Sequence, residues 1–237
     1  MPSLSSTPLL ALRWPFGIVL TGWAYMWRTT PMRREEVAGA LPDDLPPELP
    51  AGTDLAGVQR LADGAGPLFH RTYGVSVRGS KLAASELIDR VAADPDAVSP
   101  SEFASFQKRR GAPGDIRVGD EFVVRMPGPW NGPVRAVERT AAAFRFATLD
   151  GHLEAGQIEW RARDDAETVR FEVESWARPG DRLSMLVHHR LRMAKEVQLH
   201  MWTSVLERVV RLSGGRRAGP LEIHTRVASF SGEASAR

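Results

Sequence analysis

The sequence predicts an α+β fold in which a curved antiparallel sheet wraps around a long C-terminal helix. Segments that alternate apolar and polar residues dominate the middle of the chain, and an amphipathic segment of about thirty residues follows them. With 43% apolar and 25% charged residues, the composition is that of a globular protein. A strand, two short helices, a meander and a final long helix are the order of elements of the helix-grip fold.

The first predicted strand covers residues 68–78, which alternate in polarity with period two. One face of this segment carries Phe69, Arg71, Tyr73, Val75 and Val77. A short helix is predicted next, over about 82–92, and it ends before Pro95 because proline cannot continue a helix. Its apolar side consists of Leu82, Leu87, Ile88 and Val91.

A second short helix is predicted to begin at Ser99. The run Ser99-Pro100-Ser101-Glu102 has the pattern of a capping box with proline at the first helical position. We expect this helix to point Phe103 and Phe106 inward.

After Gly114 the pattern becomes that of an antiparallel meander. Strands are predicted over 116–126, 134–139, 143–149, 156–163 and 168–176. In the last two strands one face is apolar and carries Ile158, Trp160, Ala162, Val169, Phe171 and Val173. The other face suits cross-strand ion pairs in water and carries Glu159, Arg161, Arg163, Arg170, Glu172 and Glu174. Asp164 and Asp165 are predicted to mark the turn between these two strands.

A long amphipathic helix is predicted to cover the dry side of this sheet. Asp181 suits its N-cap, and apolar residues recur three or four positions apart from Leu183 to Leu212. About thirty residues span roughly 45 Å, and Gly214 and Gly215 end the helix. Residues 220–228 alternate again and predict a final edge strand. Because a sheet bent around a helix seldom closes fully, we expect an elongated cavity between them.

Three regions are predicted along the chain: an N-terminal segment and linker over 1–54, the helix-grip domain over 55–217, and a tail over 218–237. Four prolines between Leu41 and Asp54 predict an extended, semi-rigid linker before the domain. The ends of the chain are basic and the middle is acidic, although the formal net charge is only +2.

The stretch from Leu9 to Trp27 is apolar and is followed by basic residues. Proline and two glycines interrupt it, so it is too short and too broken to favour a membrane span, and it lacks the charged start of a secretory signal. Two interpretations remain open. The stretch packs on the domain as a short helix, or it contacts a membrane interface through Trp14, Trp23, Tyr25 and Trp27.

Three motifs lie on these elements: Arg71-Thr72-Tyr73-Gly74, the run from Ala147 to Gly156, and Ser175-Trp176-Ala177-Arg178-Pro179. Together they resemble the domain-of-unknown-function family nineteen-ninety (DUF nineteen-ninety), a branch of the START-like, SRPBCC superfamily. The resemblance covers residues 66–212. It implies a helix-grip body with an internal cavity, and it implies no catalytic residue because the family has no established reaction. The chain departs from the family pattern at Leu153, Gln157 and Ala177.

His152 and Glu154, which follow an Asp-Gly turn pair, are candidates for a general acid and base. Gln157 stands where the family commonly has an acid, which weakens an acid–base role. The alternative is a structural loop, in which His152 bonds the backbone and Glu154 is solvated or pairs with an arginine.

Other residues are expected to bind a ligand at the cavity. Arg125 and Arg178 would lie at its entrance and hold an acidic head group, or else form surface salt bridges. Trp130, at the tip of the stiff loop 127–133, would act as a lid or as a hairpin plug. The predicted ligand-binding set is completed by Tyr73, His152, Trp160, Phe171, Met185 and Met193.

Several function classes are excluded or disfavoured by the sequence. With no cysteine, disulfides, thiolate metal sites and cysteine nucleophiles are excluded. His188, His189 and His200 point in different directions on the long helix, so no metal site is expected. We also expect no cofactor, and no nucleic-acid partner because basic residues are not interleaved with stacking aromatics.

Three hypotheses of function follow. The first is a cytoplasmic, non-catalytic protein that holds a small apolar or amphipathic ligand between sheet and helix. The second is an enzyme of the cyclase or hydrolase kind that uses His152 and Glu154. The third is a protein that contacts membrane surfaces through residues 9–34. The oligomeric state stays open.

Overall fold

The computed structural model describes residues 31–101, 104–126, 131–180 and 192–230, with side chains in the last range from residue 198 onward. The chain divides into two units, Met1–Pro31 and Met32–Arg237. Several features predicted from the sequence lie outside the described residues or side chains: Trp14, Trp23, Tyr25, Trp27, Phe103, Trp130, Asp181, Met185, His188, His189 and Met193.

Ten strands form one curved sheet in the described part of the chain. Nine follow one another in the order β1–β10–β2–β8–β7–β6–β5–β4–β3, and β9 pairs with β2. The pairs are antiparallel except for β1 with β10. The strands are β1 (Met32–Ala38), β2 (Leu68–Arg78), β3 (Ser105–Arg110), β4 (Glu121–Arg125), β5 (Asn131–Arg139), β6 (Ala143–Thr148), β7 (Glu154–Asp165), β8 (Thr168–Pro179), β9 (Arg216–Arg217) and β10 (Leu221–Ala228).

Two α-helices accompany the sheet in the described residues, α1 (Ala84–Ala93) and α2 (Arg192–Ser213). With the sheet curved around α2, the architecture is the predicted α+β helix-grip fold. The first short helix is confirmed by α1, whose apolar side is buried. The predicted turn at Asp164 is wrong: this carboxylate accepts a hydrogen bond from the amide of Ala84 at 3.1 Å and so caps α1. The turn instead contains Ala166, which has φ of 49°.

The prediction of a second short helix is wrong. Ser99 is buried, and its hydroxyl donates to the carbonyl of Pro95 at 2.9 Å instead of capping a helix. The chain continues into β3, where the amide of Phe106 donates to Asp96 at 2.7 Å. Phe106 does point inward, and its ring contacts Phe122, Phe146 and Trp160. Contacts distant in sequence therefore override the local capping pattern.

The strand predicted over 116–126 is shorter in the structure, where β4 begins only at Glu121. Residues before it are held by other elements, since the amide of Ile116 donates to the carbonyl of Ala92 at the end of α1. Strands β5 to β8 confirm the rest of the predicted meander.

The sheet begins earlier in the chain than the sequence predicts. Strand β1 lies within the predicted N-terminal segment and pairs with β10, so that Met32 lies beside Leu221 and Ala38 beside Val227. Strand β10 confirms the segment predicted over 220–228. Its prediction as an edge strand is wrong, because β1 lies on one side of it and β2 on the other. Charged residues at 33–36 keep the exposed strand β1 polar.

The concave face confirms the predicted dry side of the sheet. Trp160 is 1% exposed, and its ring centroid lies 5.5 Å from that of Phe144 and 5.7 Å from that of Trp202 in α2. Helix α2 adds Val205, Leu206 and Val209 to this core. Over residues 198–213 these buried side chains fill the space between helix and sheet, so the expected cavity does not extend along this half of α2.

The convex face is charged as predicted and carries cross-strand ion pairs. Arg161 of β7 places Nε 3.1 Å from the carboxylate of Glu172 in β8, and Arg170 places Nε 3.1 Å from the same carboxylate within β8. The prediction that this face lies in water is wrong where residues 39–66, which we call the strap, cross it, whereas Arg163 near the turn between β7 and β8 is exposed as predicted. Arg170 and Glu172 are each only 8% exposed.

Arginines of the sheet hold the strap through its carbonyl groups. Arg135 donates to the carbonyls of Asp54 and Ala56 at 2.7 and 2.9 Å, and Arg145 donates to that of Pro47 at 3.2 Å. A second, smaller core lies on this side and consists of Leu41, Leu61, Leu68, Trp176, Ala228 and Phe230. The proline-rich segment predicted as a linker is therefore a packed part of the domain.

A histidine fastens the strap to the sheet. His70 in β2 has Nδ1 2.7 Å from Asp44 of the strap and Nε2 2.6 Å from Glu174 of β8. Its ring stacks on Trp176 with 5.4 Å between centroids. Burial opposes the charged form, but hydrogen bonds to Glu174 and Asp44, and their charges, raise the pKa of His70. The protonated imidazole satisfies both carboxylates.

We expect the fold to lose stability as the pH rises because of this histidine. A raised folded-state pKa means that the contribution of His70 is complete below its unfolded pKa of about 6.5 and is lost as the pH rises through the folded value. Urea unfolding should give a difference of about 1–3 kcal/mol between wild type and His70→Gln near pH 6. The difference should shrink toward alkaline pH. A difference that grows instead would contradict the proposed ion pairs of a protonated His70 with Asp44 and Glu174.

Candidate functional site

One arginine occupies an apolar-face position of the sheet. Arg71 has the same orientation in β2 as Tyr73 and Val75, which belong to the concave core. Its neighbours across the strands are Ser175 in β8 and Thr225 in β10. Because Arg71 is only 4% exposed, the structure buries a guanidinium on the concave face.

The protein satisfies this guanidinium poorly. Its Nη1 lies 3.8 Å from Oε1 of Glu154, which is beyond hydrogen-bond distance, and has no hydrogen-bond partner among the described residues. The guanidinium also lies 4.5 Å from the centroid of the Phe69 ring. A buried charge that lacks hydrogen bonds costs several kcal/mol. An added acceptor at Nη1 would therefore be stabilised by Arg71.

Further donors belong to Tyr73, two residues from Arg71 on the same face of β2, and to Trp202, which stacks on Tyr73. Tyr73 and Trp202 stack with their ring centroids 5.6 Å apart, which joins β2 to α2. Burial raises the pKa of Tyr73 to about 12, so its hydroxyl keeps its proton at neutral pH. The indole Nε1 of Trp202 is buried without an acceptor in the described part of the chain. This end of the concave face thus combines aromatic surface with unused donors.

His152 is fixed by the main chain. Its Nδ1 lies 2.9 Å from both the amide nitrogen and the carbonyl oxygen of Glu154, so either tautomer finds a partner there. Burial lowers the pKa of His152, although Glu154 acts in the opposite direction. The carboxylate of Glu154 instead faces Arg71. This is the geometry of the structural alternative described above.

Gly132 in β5 makes room for this histidine. A Cβ atom at position 132 would lie 2.9 Å from Nε2 of His152 and 3.3 Å from the terminal carbon of Met126. The ring thus packs directly on the backbone of β5, and a side chain at position 132 would displace it.

The remaining predicted site residues lie elsewhere. Trp160 and Phe171 are core residues, 1% and 0% exposed. Arg125 is exposed on β4, where its Nε donates to Gln107 at 2.9 Å. Arg178, expected at the cavity entrance, is on the convex face because even-numbered residues of β8 point that way. There it donates to the strap carbonyls of Leu61 and Gly66 at 2.5 and 3.0 Å and stacks on Phe230.

Sequence reasoning missed two residues of this group. Arg71 was placed on the correct face of β2, and an arginine in an apolar row was the available signal. Trp202 carried no such signal, because an indole at a helical apolar position is typical of a core residue.

A separate depression of about 330 Å³ lies at the other end of β2, lined by Lys81, Asp164 and neighbouring loop residues. Asp164 is already engaged there in capping α1.

Among the described residues, no group of three histidine or acidic side chains is arranged to hold a metal ion. No helix of this part of the chain is both long and apolar enough to cross a membrane.

Replacing His152 should reduce stability. Its folded-state pKa is lowered, so its contribution is present above about pH 6.5 and is lost as the pH falls through the folded value. His152→Ala should lower the free energy of unfolding near pH 7.5 by about 1–3 kcal/mol, because the main chain of Glu154 loses its partner. His152→Asn, which retains an acceptor, should lose less. Urea unfolding measures both, and an unchanged value for His152→Ala contradicts a structural role.

Residues 101–208 match the sequence profile of the family described as Domain of unknown function (DUF1990). No curated protein matches the chain. A hypothetical protein from Helicobacter pylori is 12% identical, with 60% of this chain and 86% of that chain covered and a TM-score of 0.46. Norcoclaurine synthase from Thalictrum flavum, solved with dopamine and hydroxybenzaldehyde, is 11% identical, with 70% and 97% covered and a TM-score of 0.42.

A third solved structure is the di-domain ARO/CYC StfQ from the steffimycin biosynthetic pathway. It is 11% identical, with 65% of this chain and 52% of that chain covered and a TM-score of 0.45. The profile match includes the motif from Ala147 to Gly156, the whole of β8 with the third motif, and most of α2. Over residues 101–208 the chain is therefore similar to the DUF1990 family, which is the resemblance that the second and third motifs indicate.

Proposed function

We propose that this protein binds a small amphipathic molecule on the concave face of its sheet, at the end of β2 where Arg71 lies. The observation that carries the proposal is the buried guanidinium, 4% exposed, whose Nη1 has no hydrogen-bond partner among the described residues. Buried polar groups in proteins are nearly always hydrogen-bonded, so an unused donor of this kind supports a missing acceptor.

The surroundings of Arg71 support an amphipathic rather than a purely polar molecule. The Phe69 ring contacts the guanidinium, and Tyr73, two residues along the same face of β2, stacks on Trp202. Ligand sites commonly combine such apolar walls with a few polar groups that fix orientation. The closely packed layer around Trp160 would limit how far the apolar part extends toward the other end of β2.

Acid–base catalysis by His152 and Glu154 is less well supported. The contacts of the His152 ring nitrogen are with the main chain, and the carboxylate of Glu154 faces a cation. A general base needs a ring nitrogen that can reach a substrate proton, and Nε2, the other ring nitrogen of His152, packs against Gly132 of β5. We therefore favour binding without chemistry.

The convex face offers a matched control for testing the site. Arg178 is buried to a similar extent, 6% exposed, but its guanidinium donates to two carbonyl groups. Arg71→Met should change the melting temperature of the ligand-free protein little, because Nη1 of Arg71 makes no hydrogen bond among the described residues and its ion pair with Glu154 is 3.8 Å long. Arg178→Met should lower the free energy of unfolding by about 1–3 kcal/mol, because two carbonyl acceptors lose their donor.

Binding itself is tested by thermal shifts with a panel of small amphiphiles. Wild type and Arg178→Met should show a rise of about 2 °C or more with at least one amphiphile, and Arg71→Met should show a smaller rise. Native mass spectrometry of the purified full chain gives an independent measurement of a bound small molecule. Failure of every amphiphile in both measurements, or equal shifts in Arg71→Met and wild type, would overturn the proposed site.

A further inference from the structure

We infer that the ligand of the concave site carries a carboxylate, which the side chains of Arg71, Tyr73 and Trp202 receive. This inference rests on the proposed function, and it adds the chemical class of the head group. It depends on the kind of polar groups left over at this end of the sheet, and on how close together the fold holds them.

The first step asks whether the polar groups without a partner are hydrogen-bond donors or acceptors. Nη1 of Arg71 and Nε1 of Trp202 are both buried without an acceptor in the described part of the chain, and both can only donate. The hydroxyl of Tyr73 is protonated and can donate as well. Donors without acceptors call for a ligand group with several lone pairs, and a carboxylate offers about four.

The second step concerns position. Arg71 and Tyr73 are two residues apart on one face of β2, which places their backbones roughly 7 Å apart. Trp202 stacks on Tyr73 with 5.6 Å between the ring centroids. The three side chains therefore follow one another at this end of the concave face, from Arg71 through Tyr73 to Trp202.

The third step concerns the neighbouring acid. Glu154 lies 3.8 Å from Nη1 of Arg71, and its side chain is 20% exposed whereas that of Arg71 is 5% exposed. At this distance the carboxylate offsets part of the positive charge without occupying the donor. A ligand carboxylate at hydrogen-bond distance would be closer to the guanidinium than Glu154 is. The planar guanidinium can bind such a group through two parallel hydrogen bonds.

Three probes with the same eight-carbon tail isolate the head group: octanoate, 1-octanol and octylammonium. Isothermal titration calorimetry on the full chain should give octanoate an affinity at least about tenfold above that of octanol. Octylammonium should bind more weakly than octanol because it meets the guanidinium with like charge. Equal or stronger binding of octanol or octylammonium would overturn the inference, although the proposed binding site would stand.

Substitutions of Arg71 and Trp202 test whether their N–H groups cause the preference for octanoate. Arg71→Met should reduce octanoate binding to the level of octanol and leave octanol nearly unchanged, and Arg71→Lys should recover only part of the difference because it lacks the planar fork. Trp202→Phe keeps a stacking ring but removes Nε1, and it should weaken octanoate about threefold to tenfold. Arg178→Met is the control with unchanged octanoate affinity once its folding has been verified by circular dichroism.

The outcomes separate the two claims. If none of the three probes binds to wild type up to their solubility limits, and the amphiphile panel also fails, the proposed function falls and the inference with it. If octanoate is preferred but Arg71→Met and Trp202→Phe bind it as wild type does, the carboxylate is held elsewhere and the inference is wrong.

Discussion

The fold depends on covering both faces of one sheet whose two sides differ in chemistry. On the concave side, α2 and the aromatic layer around Trp160 remove apolar surface from water. On the convex side the buried groups are arginines and glutamates, and each guanidinium brings five donors that carboxylates alone do not fill. The strap supplies main-chain carbonyls to Arg135, Arg145 and Arg178. Without that cover, the charged face would not be buried.

The periodicity of the sequence was sufficient to predict the elements that pack against elements close to them in the chain. Strands β7 and β8 alternate cleanly because each has one apolar and one charged face, and α1 follows the spacing of its buried side. The proline-rich part of the strap was predicted as a linker because prolines prevent a regular pattern, while the partners of the strap are arginines about 80 to 120 residues away. Strand β1 was missed for a similar reason, since its pairing partner is β10.

The candidate site shows the same division. The face of Arg71 followed from period two, and its conflict with the apolar row was visible in the sequence. The lack of a hydrogen-bond partner at Nη1 of Arg71 could not be predicted, because it depends on which acceptors reach this nitrogen in three dimensions. Arg178 was expected at the cavity entrance, whereas the alternation of β8 continues to its end and places Arg178 on the charged face with Glu172 and Glu174. His152 was correctly placed in a turn, and only the structure identifies the main chain of Glu154 as its partner.

The pairing of β1 with β10 has a consequence for biosynthesis. Among the described strands, β1 has β10 as its one neighbour, and some 180 residues separate them in the chain. At translation rates of about 5–20 residues per second, β1 leaves the ribosome roughly 10–40 s before its partner is made. The two arginines and two glutamates of β1 give the nascent chain a polar segment during that time. The pairing of β1 with β10 is thus a late event in synthesis, which follows the making of all the strands between them.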